Sequence, residues 1–343
     1  MVVNELKVRV LYAMVSLFSV PKPVKRMFDT FPLQTYGAQA DKDEAVALEV
    51  QRRSYPFTGR GDGDLKLTAE DTYKLGVYNV FSEATTGAML ATDPWCLFVQ
   101  LALCQKNGLC LPTESQEKGT SQSCNHELMV LSRLSNPNET LPILVEGHKK
   151  RIVRSTDAIS NTMRSRVLED AEQLMYDMLL DTVLYDCWMT QVLFRISNSQ
   201  FMELYSSQKP NESTSTLVDV ENSLLGKLSA NSLKMSLLKR NKFQLRHREI
   251  ADSMHAIYHK RHNSISQEQA IDVLFENSKQ VLLDFQSSLS GNNTQPASLH
   301  LKIASYILCI MNVKEPIELK VFVEDECKDL VNFAHKVLNN FIQ

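Results

Sequence analysis

Apolar and polar positions fall into two rhythms along this chain. Between about residues 71 and 162, short apolar and β-branched runs alternate with turn residues; beyond about 163, apolar residues return every third or fourth position. In the first region, Leu75, Val77, Val80 and Phe81 predict a strand over 74–81, and Leu128 to Leu134 predict a second. Ile143 to Val145 and Ile152 to Val153 predict a closing pair of strands, turned by Gly147 and Lys149-Lys150. Pro142 stands just before the third strand, where proline cannot donate to a ladder and is a candidate for a cis peptide bond. Asp93-Pro94 predicts a helix start, the carboxylate capping it and the proline filling the first turn, where no N–H partner is needed. Trp95 to Cys104 is apolar nearly all round, so this helix should be buried, and Asn107-Gly108 should end it. The order strand, helix, strand, strand, strand, helix describes an α/β unit.

The second rhythm is helical. Met175, Leu179, Val183 and Cys187 form one stripe, joined by Leu180, Leu184 and Trp188, with Asp177, Asp181 and Asp186 largely opposite, which predicts a long amphipathic helix over 170–194. Pro210, Asn211, Ser213 and Ser215 mark a surface loop over 208–216. Helices are expected near 219–240 and 244–260, and from the capping box Ser266-Gln-Glu-Gln269 to about Ser288. After a break over 291–296, Val323, Cys327, Leu330, Val331, Ala334, Val337, Leu338 and Phe341 give a helical stripe to the C-terminus. Residues 1–70 are poorly patterned, with prolines at 21, 23, 32 and 56. The expected organisation is therefore an N-terminal extension over 1–70, an α/β domain over 71–162 and a helical domain over 163–343, with no internal repeat.

Composition narrows the class. A chain of 343 residues with 43% hydrophobic positions has room for about two domains. A net charge of −3 gives no basis for nucleic-acid binding. Seven cysteines without a Cys-x-x-Cys pair indicate neither a disulfide framework nor a zinc ribbon. Cys96, Cys104, Cys187, Cys309 and Cys327 lie among apolar residues, as suits free thiols in a reducing compartment, where the sequons at Asn138 and Asn211 stay idle. No stretch approaches the roughly 20 apolar residues of a membrane span. Val10 to Val20 is shorter and is followed by Pro21 and Pro23, so it reads as a buried or frayed segment rather than a signal core, and Met14 is a second candidate start. Arg60-Gly61-Asp62 reads as an ordinary glycine-rich loop.

Candidate chemistry is sparse. Trp95-Cys96 lacks the second cysteine of a redox pair, and a lone cysteine in an apolar helix is a packing residue. Histidines 247, 255, 259 and 262 have no acidic or cysteine partner set beside them, so no metal site is expected. Ser, His and Asp residues show no nucleophile-elbow pattern. The densest feature is basic: Lys234, Lys239, Arg240, Lys242, Arg246, Arg248, Lys260 and Arg261 face only Glu249 and Asp252 within 234–262. This segment reads either as a solvated helical surface or as a contact for an anionic membrane or an acidic partner, where each basic residue contributes about 1 kcal/mol near anionic lipid. Too few aromatics interleave for stacking on single-stranded nucleic acid.

The stretch 141–159 resembles the second half of the thioredoxin-like domain of glutathione transferases, with its cis-proline before the third strand and its polar-hydroxyl-x-Ala-Ile turn after the fourth. The resemblance implies α/β plus all-α: a thioredoxin-like domain followed by an all-helical C-terminal domain. It also implies an alternative function, a glutathione-dependent transferase-like enzyme. In that family an acidic or amide residue and then a serine hold the γ-glutamyl carboxylate; here those places are Ser155 and Thr156, before Asp157-Ala158-Ile159. Only the hydroxyl is kept, and 82–92 offers no nucleophile poised at the helix start, so no catalytic, cofactor-binding or metal residue is expected.

Five stretches resemble a second family: Phe28-Asp-Thr-Phe-Pro-Leu-Gln-Thr-Tyr36, Leu75-Gly-Val-Tyr-Asn-Val-Phe81, Thr92-Asp-Pro-Trp-Cys-Leu97, Leu141-Pro-Ile-Leu-Val-Glu-Gly147 and Lys314-Glu-Pro-Ile-Glu-Leu319. They are similar to the metaxin-like peripheral subunits of the fungal mitochondrial sorting and assembly machinery, over about residues 14–343. This resemblance implies a non-enzymatic protein on the cytosolic face of the mitochondrial outer membrane, needing no cofactor. It implies help in recognising the β-signal of β-barrel precursors and in promoting their insertion. The implied partners are a β-barrel insertase subunit, a second metaxin-like subunit, the precursors themselves and, peripherally, the membrane surface, with no nucleic acid. No residue-level site carries over from it.

Overall fold

Alternation along each strand sets the sheet. The structure, a computed structural model, describes residues 22, 25–26, 44–59, 72–113, 123–147, 151–164, 171–207, 224–255, 264–288 and 297–342. The expectations for Val10 to Val20, Arg60-Gly61-Asp62, Asn211, His259, Lys260, Arg261, His262 and the break at 291–296 lie outside these residues. The chain divides into two compact units, 1–52 and 53–343. Of the first unit the structure describes Lys22, Lys25, Arg26 and most of helix α1 (Glu44–Arg53), on which Glu49 and Arg52 pair across one turn at 3.8 Å. Everything below belongs to the second.

Eight strands follow: β1 (Ser54–Gly59), β2 (Thr72–Val77), β3 (Val80–Ser82), β4 (Met89–Ala91), β5 (Leu109–Cys110), β6 (Ser123–Val130), β7 (Ile143–Gly147) and β8 (Arg151–Arg154). Six form one mixed sheet in the order β5-β1-β6-β2-β7-β8, with β2 and β6 parallel and every other pair antiparallel. Leu75 lies opposite Leu128 and Leu144, and Val77 opposite Val130, all buried on one face. The register puts Thr72, Lys74 and Gly76 on the other face, with Met129, Val145 and Val153. The sheet starts at Ser54, inside the stretch expected to be poorly patterned, because Pro56 and a register shift there disguise the strand's alternation.

The strand expected over 74–81 is two strands. Between them Asn79 donates from its side chain to Glu203 O at 2.6 Å and accepts from Val80 N at 2.9 Å, and β3 turns away to pair with β4. The turn joining β3 to β4 is held by Glu83, which accepts from the amides of Thr85 and Thr86 at 3.1 and 2.8 Å and from both hydroxyls at 2.7 Å. Burial alone would raise this carboxyl's pKa, but these donors outweigh it and hold the group below the usual carboxylate value. A folded value below the unfolded one means stability present above the ordinary carboxylate range and lost as pH falls through the depressed value. Glu83→Gln should lower the urea midpoint at neutral pH by the equivalent of about 1–3 kcal/mol. The gap from wild type should close below roughly pH 4; a gap that persists there would show that charge is not what holds the turn.

Helix α2 (Pro94–Asn107) starts as the sequence predicts. Asp93 accepts from Trp95 N and Cys96 N at 3.1 Å each, and Gly108 ends the helix in a left-handed conformation at φ 60°, bonded back to Cys104 O. Residues Pro94 to Cys104 are all buried. The Leu141-Pro142 peptide is cis, and α3 (Thr156–Arg164) follows β8. Between β6 and β7 the chain makes only a 3-10 turn, Arg133–Ser135, so that connection lays no helix on the Thr72–Lys74 face.

The remaining described residues are mainly helical. Helix α4 spans 171–195, with two π-helical stretches, Leu180–Leu184 and Gln191–Arg195. It is followed by α5 (Asn198–Tyr205), α6 (Leu224–Lys239), a 3-10 corner at Arg240–Lys242, α7 (Phe243–Arg246), α8 (Arg248–His255), α9 (Ser264–Ser288), α10 (Ser298–Asn312), α11 (Glu318–Glu326) and α12 (Lys328–Asn339). The expected polarity of α4 is corrected. Asp177, Asp181 and Asp186 are buried, while Met175 and Met178 are 53% and 45% exposed. The π turns are wider than 3.6 residues and shift the phase of the stripe, and the aspartates find cations inside. Helix α9 begins at Ser264, before the expected capping box, and Cys327 divides the predicted C-terminal stripe into α11 and α12.

Candidate functional site

The place where a transferase-like fold would hold its peptide substrate is built from the start of α3 and the cis-proline. Thr156 is buried, and its hydroxyl meets Pro142 O at 2.9 Å, Thr140 O at 3.2 Å and the Thr140 hydroxyl at 3.2 Å. It ties the loop before β7 to the helix start, and its single proton is spent on those carbonyls, leaving none to donate to a ligand carboxylate. The adjoining cavity, lined by Trp95, Phe98, Pro142, Ile159, Asp177 and Lys302 among others, measures about 20 Å³, room for about one water. Cys96, at the first turn of α2, is fully buried, and burial and then the Asp93 charge raise its pKa well above the usual thiol value, so it is not a thiolate nucleophile.

Beside it the two halves of the unit are joined by a buried ion pair. Arg240 Nη1 and Nη2 donate to Asp93 Oδ1 and Oδ2 at 2.7 and 2.8 Å, and both side chains are 1% exposed. The guanidinium lies over Trp95 at 4.8 Å, Tyr78 at 5.7 Å and Tyr185 at 6.0 Å. Tyr205 donates to Asp93 at 3.2 Å and accepts from Trp188 at 3.0 Å. Burial alone would lower the Arg240 pKa; the Asp93 charge overrides it and holds the group well above its usual value. A second buried cluster lies between α10 and α4, where Lys302 Nζ sits 2.7 Å from both Asp177 Oδ1 and Asp181 Oδ1.

Arg240 therefore leaves the basic surface expected from the sequence, and so does Lys234. Lys234 Nζ is inside, 3.0 Å from Leu193 O and 2.9 Å from Asn198 Oδ1, and burial lowers its pKa. The signal was present: Lys234 and Arg240 continue the buried positions Ala230, Leu233, Leu237 and Leu238 at spacings of three, four and seven. Arg246 is turned partly inward, with Nε and Nη2 on Asp186 at 2.8 and 2.5 Å, and His247 Nε2 meets the same carboxylate at 2.7 Å. Lys239, Lys242 and Arg248 are exposed around the corner, where Asn241 and Lys242 adopt positive φ, and Leu245 between them is 59% exposed. Lys260 and Arg261 lie outside the described residues.

Among the described residues, one further open feature is a sheet face that no helix covers. A groove of about 560 Å³ runs over Thr72, Lys74, Met129, Ile143, Val145 and Val153. It reaches the edge strand β8, where Ile152 and Val153 are 45% and 56% exposed. No His, Cys, Asp or Glu cluster suited to a metal occurs among the described residues. None of their helices is long and apolar enough to cross a membrane.

Comparison with known proteins gives the chain's relatives. A family model described as SAM35, subunit of SAM complex, matches residues 18–146. The chain is 72% identical over 330 residues, 96% of its own length and 100% of the relative's, to the sorting assembly machinery 35 kDa subunit of Saccharomyces cerevisiae.

Proposed function

The chain belongs to the SAM35 family, and on that premise we propose that it is a non-catalytic subunit of the sorting and assembly machinery of the mitochondrial outer membrane. In this reading it helps recognise the β-signal of β-barrel precursors and promotes their insertion. It works beside a β-barrel insertase subunit and a second metaxin-like subunit, held peripherally on the cytosolic face. The observation that carries the reading is the 72% identity over the whole length of the yeast subunit. The closed site supports the non-enzymatic half of it: the Thr156 hydroxyl is spent on the chain's own carbonyls and Cys96 is sealed. The scaffold in this proposal is glutathione-transferase-like. The order β6-β2-β7-β8, a cis-proline before β7 and a hydroxyl residue opening α3 support that assignment.

Photoreactive residues in the C-terminal strand of a barrel precursor, arrested in isolated mitochondria, should capture this chain. Capture of other subunits alone would overturn the recognition role. Lys239, Lys242 and Arg248 are proposed as the face toward the membrane or an acidic partner. Reversing all three to glutamate should weaken retention on outer-membrane vesicles and leave the melting temperature close to wild type, since exposed substitutions change stability by about 0.5 kcal/mol or less. Wild-type retention should fall as salt shortens the Debye length from ~10 Å to ~3 Å. Retention that ignores both charge reversal and salt would make the corner a solvated face.

A further inference from the structure

We propose that β8 is a docking strand, and that its occupant is an extended segment of a partner chain with alternating apolar and polar residues. The inference rests on the precursor-recognition reading above and assigns it a surface. The two ends of the sheet differ. At one end β5 is two buried residues, and the next amide, Leu111 N, donates to Phe341 O at 2.8 Å, so that edge is closed by the chain itself. At the other end β8 pairs with β7 alone among the described strands.

Ile152 and Val153 point to opposite faces, and both are about half exposed, so among the described residues nothing covers this edge from either side. Protected edges are very short or carry charges, a proline or a bulge; β8 is short, with an arginine at each end, and has no proline. Its two central positions are β-branched and apolar, and Arg154, at its end, is already tied to Glu146 at 2.9 Å. An open edge of this kind offers main-chain donors and acceptors in one plane, which only an extended chain satisfies in series. The groove adds selection. Val153 and Val145 lie across from each other on the open face, with the polar Lys74 and Thr72 beyond, so an added strand's residues on this face meet an apolar pair first. Charge argues against a second copy as occupant. Antiparallel pairing of two β8 strands about their centre would set Arg151 of each opposite Arg154 of the other, and like charges directly opposite are destabilising. A neutral or acidic strand has no such conflict.

The test uses the full-length protein and a fluorescent synthetic peptide of a barrel precursor's last strand, beside a peptide of the same composition with its apolar residues grouped. The native peptide should bind at least tenfold more tightly than the grouped one. Ile152→Lys/Val153→Lys should weaken it tenfold or more without moving the unfolding midpoint. Should that variant fail to fold, Ile152→Thr/Val153→Thr keeps the β-branched shape and should still weaken binding several-fold. Leu283→Lys, at an exposed position of α9, should leave it unchanged. Equal binding by both peptides, unchanged affinity in the β8 variants, or a dimer crosslinked through residue 152 would each overturn the proposal. Precursors that still crosslink to the chain in mitochondria when β8 is altered would remove this surface and leave the recognition reading intact. Precursors that never crosslink to the chain would remove both.

Discussion

Arg240→Ala is expected to lower stability by about 3–5 kcal/mol, since it strands the Asp93 carboxylate in a site closed on all sides. That is a large fraction of the roughly 5–15 kcal/mol that holds a typical domain together. The double variant Asp93→Ala/Arg240→Ala should cost less than the sum of the two single variants, because removing both charges leaves no buried ion behind. Arg240→Lys should recover only part of the loss: an ammonium cannot make two parallel bonds to one carboxylate or stack on Trp95. Urea titration of the set measures the order. An Arg240→Ala midpoint near wild type would mean that apolar contacts alone join the halves, and that the ion pair only fixes their register.

Lys302→Met should cost a similar amount, again about 3–5 kcal/mol. The methionine fills most of the space, so the loss reads the charge rather than a cavity. One ammonium on α10 serves two carboxylates one turn apart on α4, at 2.7 Å each, and its removal sets two buried anions against each other. Adding Asp177→Asn and Asp181→Asn to Lys302→Met should restore much of the stability. Failure of the triple variant to recover would place the cost in packing around Phe98, over which the Lys302 ammonium sits at 5.7 Å.

Elements bounded by local chemistry were readable from the sequence. Helix α2 announced itself through Asp93, Pro94 and Gly108, and the closing strands through Pro142, their β-branched runs and the residues between them. What resisted reading was set at long range. Helix α10 has no polar face, so its periodicity carries no signal, and it is buried from Leu301 to Ile310. The aspartates of α4 looked solvent-facing because their partners, Lys302 and Arg246, are distant in sequence. The basic segment was visible as charge, but charge does not say which way a side chain points; Lys234 and Arg240 turned inward on the same spacing as their apolar neighbours. The β8 edge was legible as a strand and not as an edge, since position in a sheet is decided by all the other strands.

Asp93 and Arg240 stand 147 residues apart, and Trp95 meets Tyr306 across 211. During synthesis the α/β half therefore emerges well before the groups that complete it. At ~5–20 residues per second, the 211 residues between Trp95 and Tyr306 take on the order of ten seconds or more to follow. Through that interval α2, apolar on every side, lacks the helix α10 that packs against it, and the Asp93 carboxylate lacks its cation. The core around α2 is completed by contacts of long sequence separation, which form only when the last third arrives. Ribosome-bound chains stopped before residue 240 should accordingly be captured by general chaperones and cut readily by protease, and release from both should come only once α10 has cleared the exit tunnel.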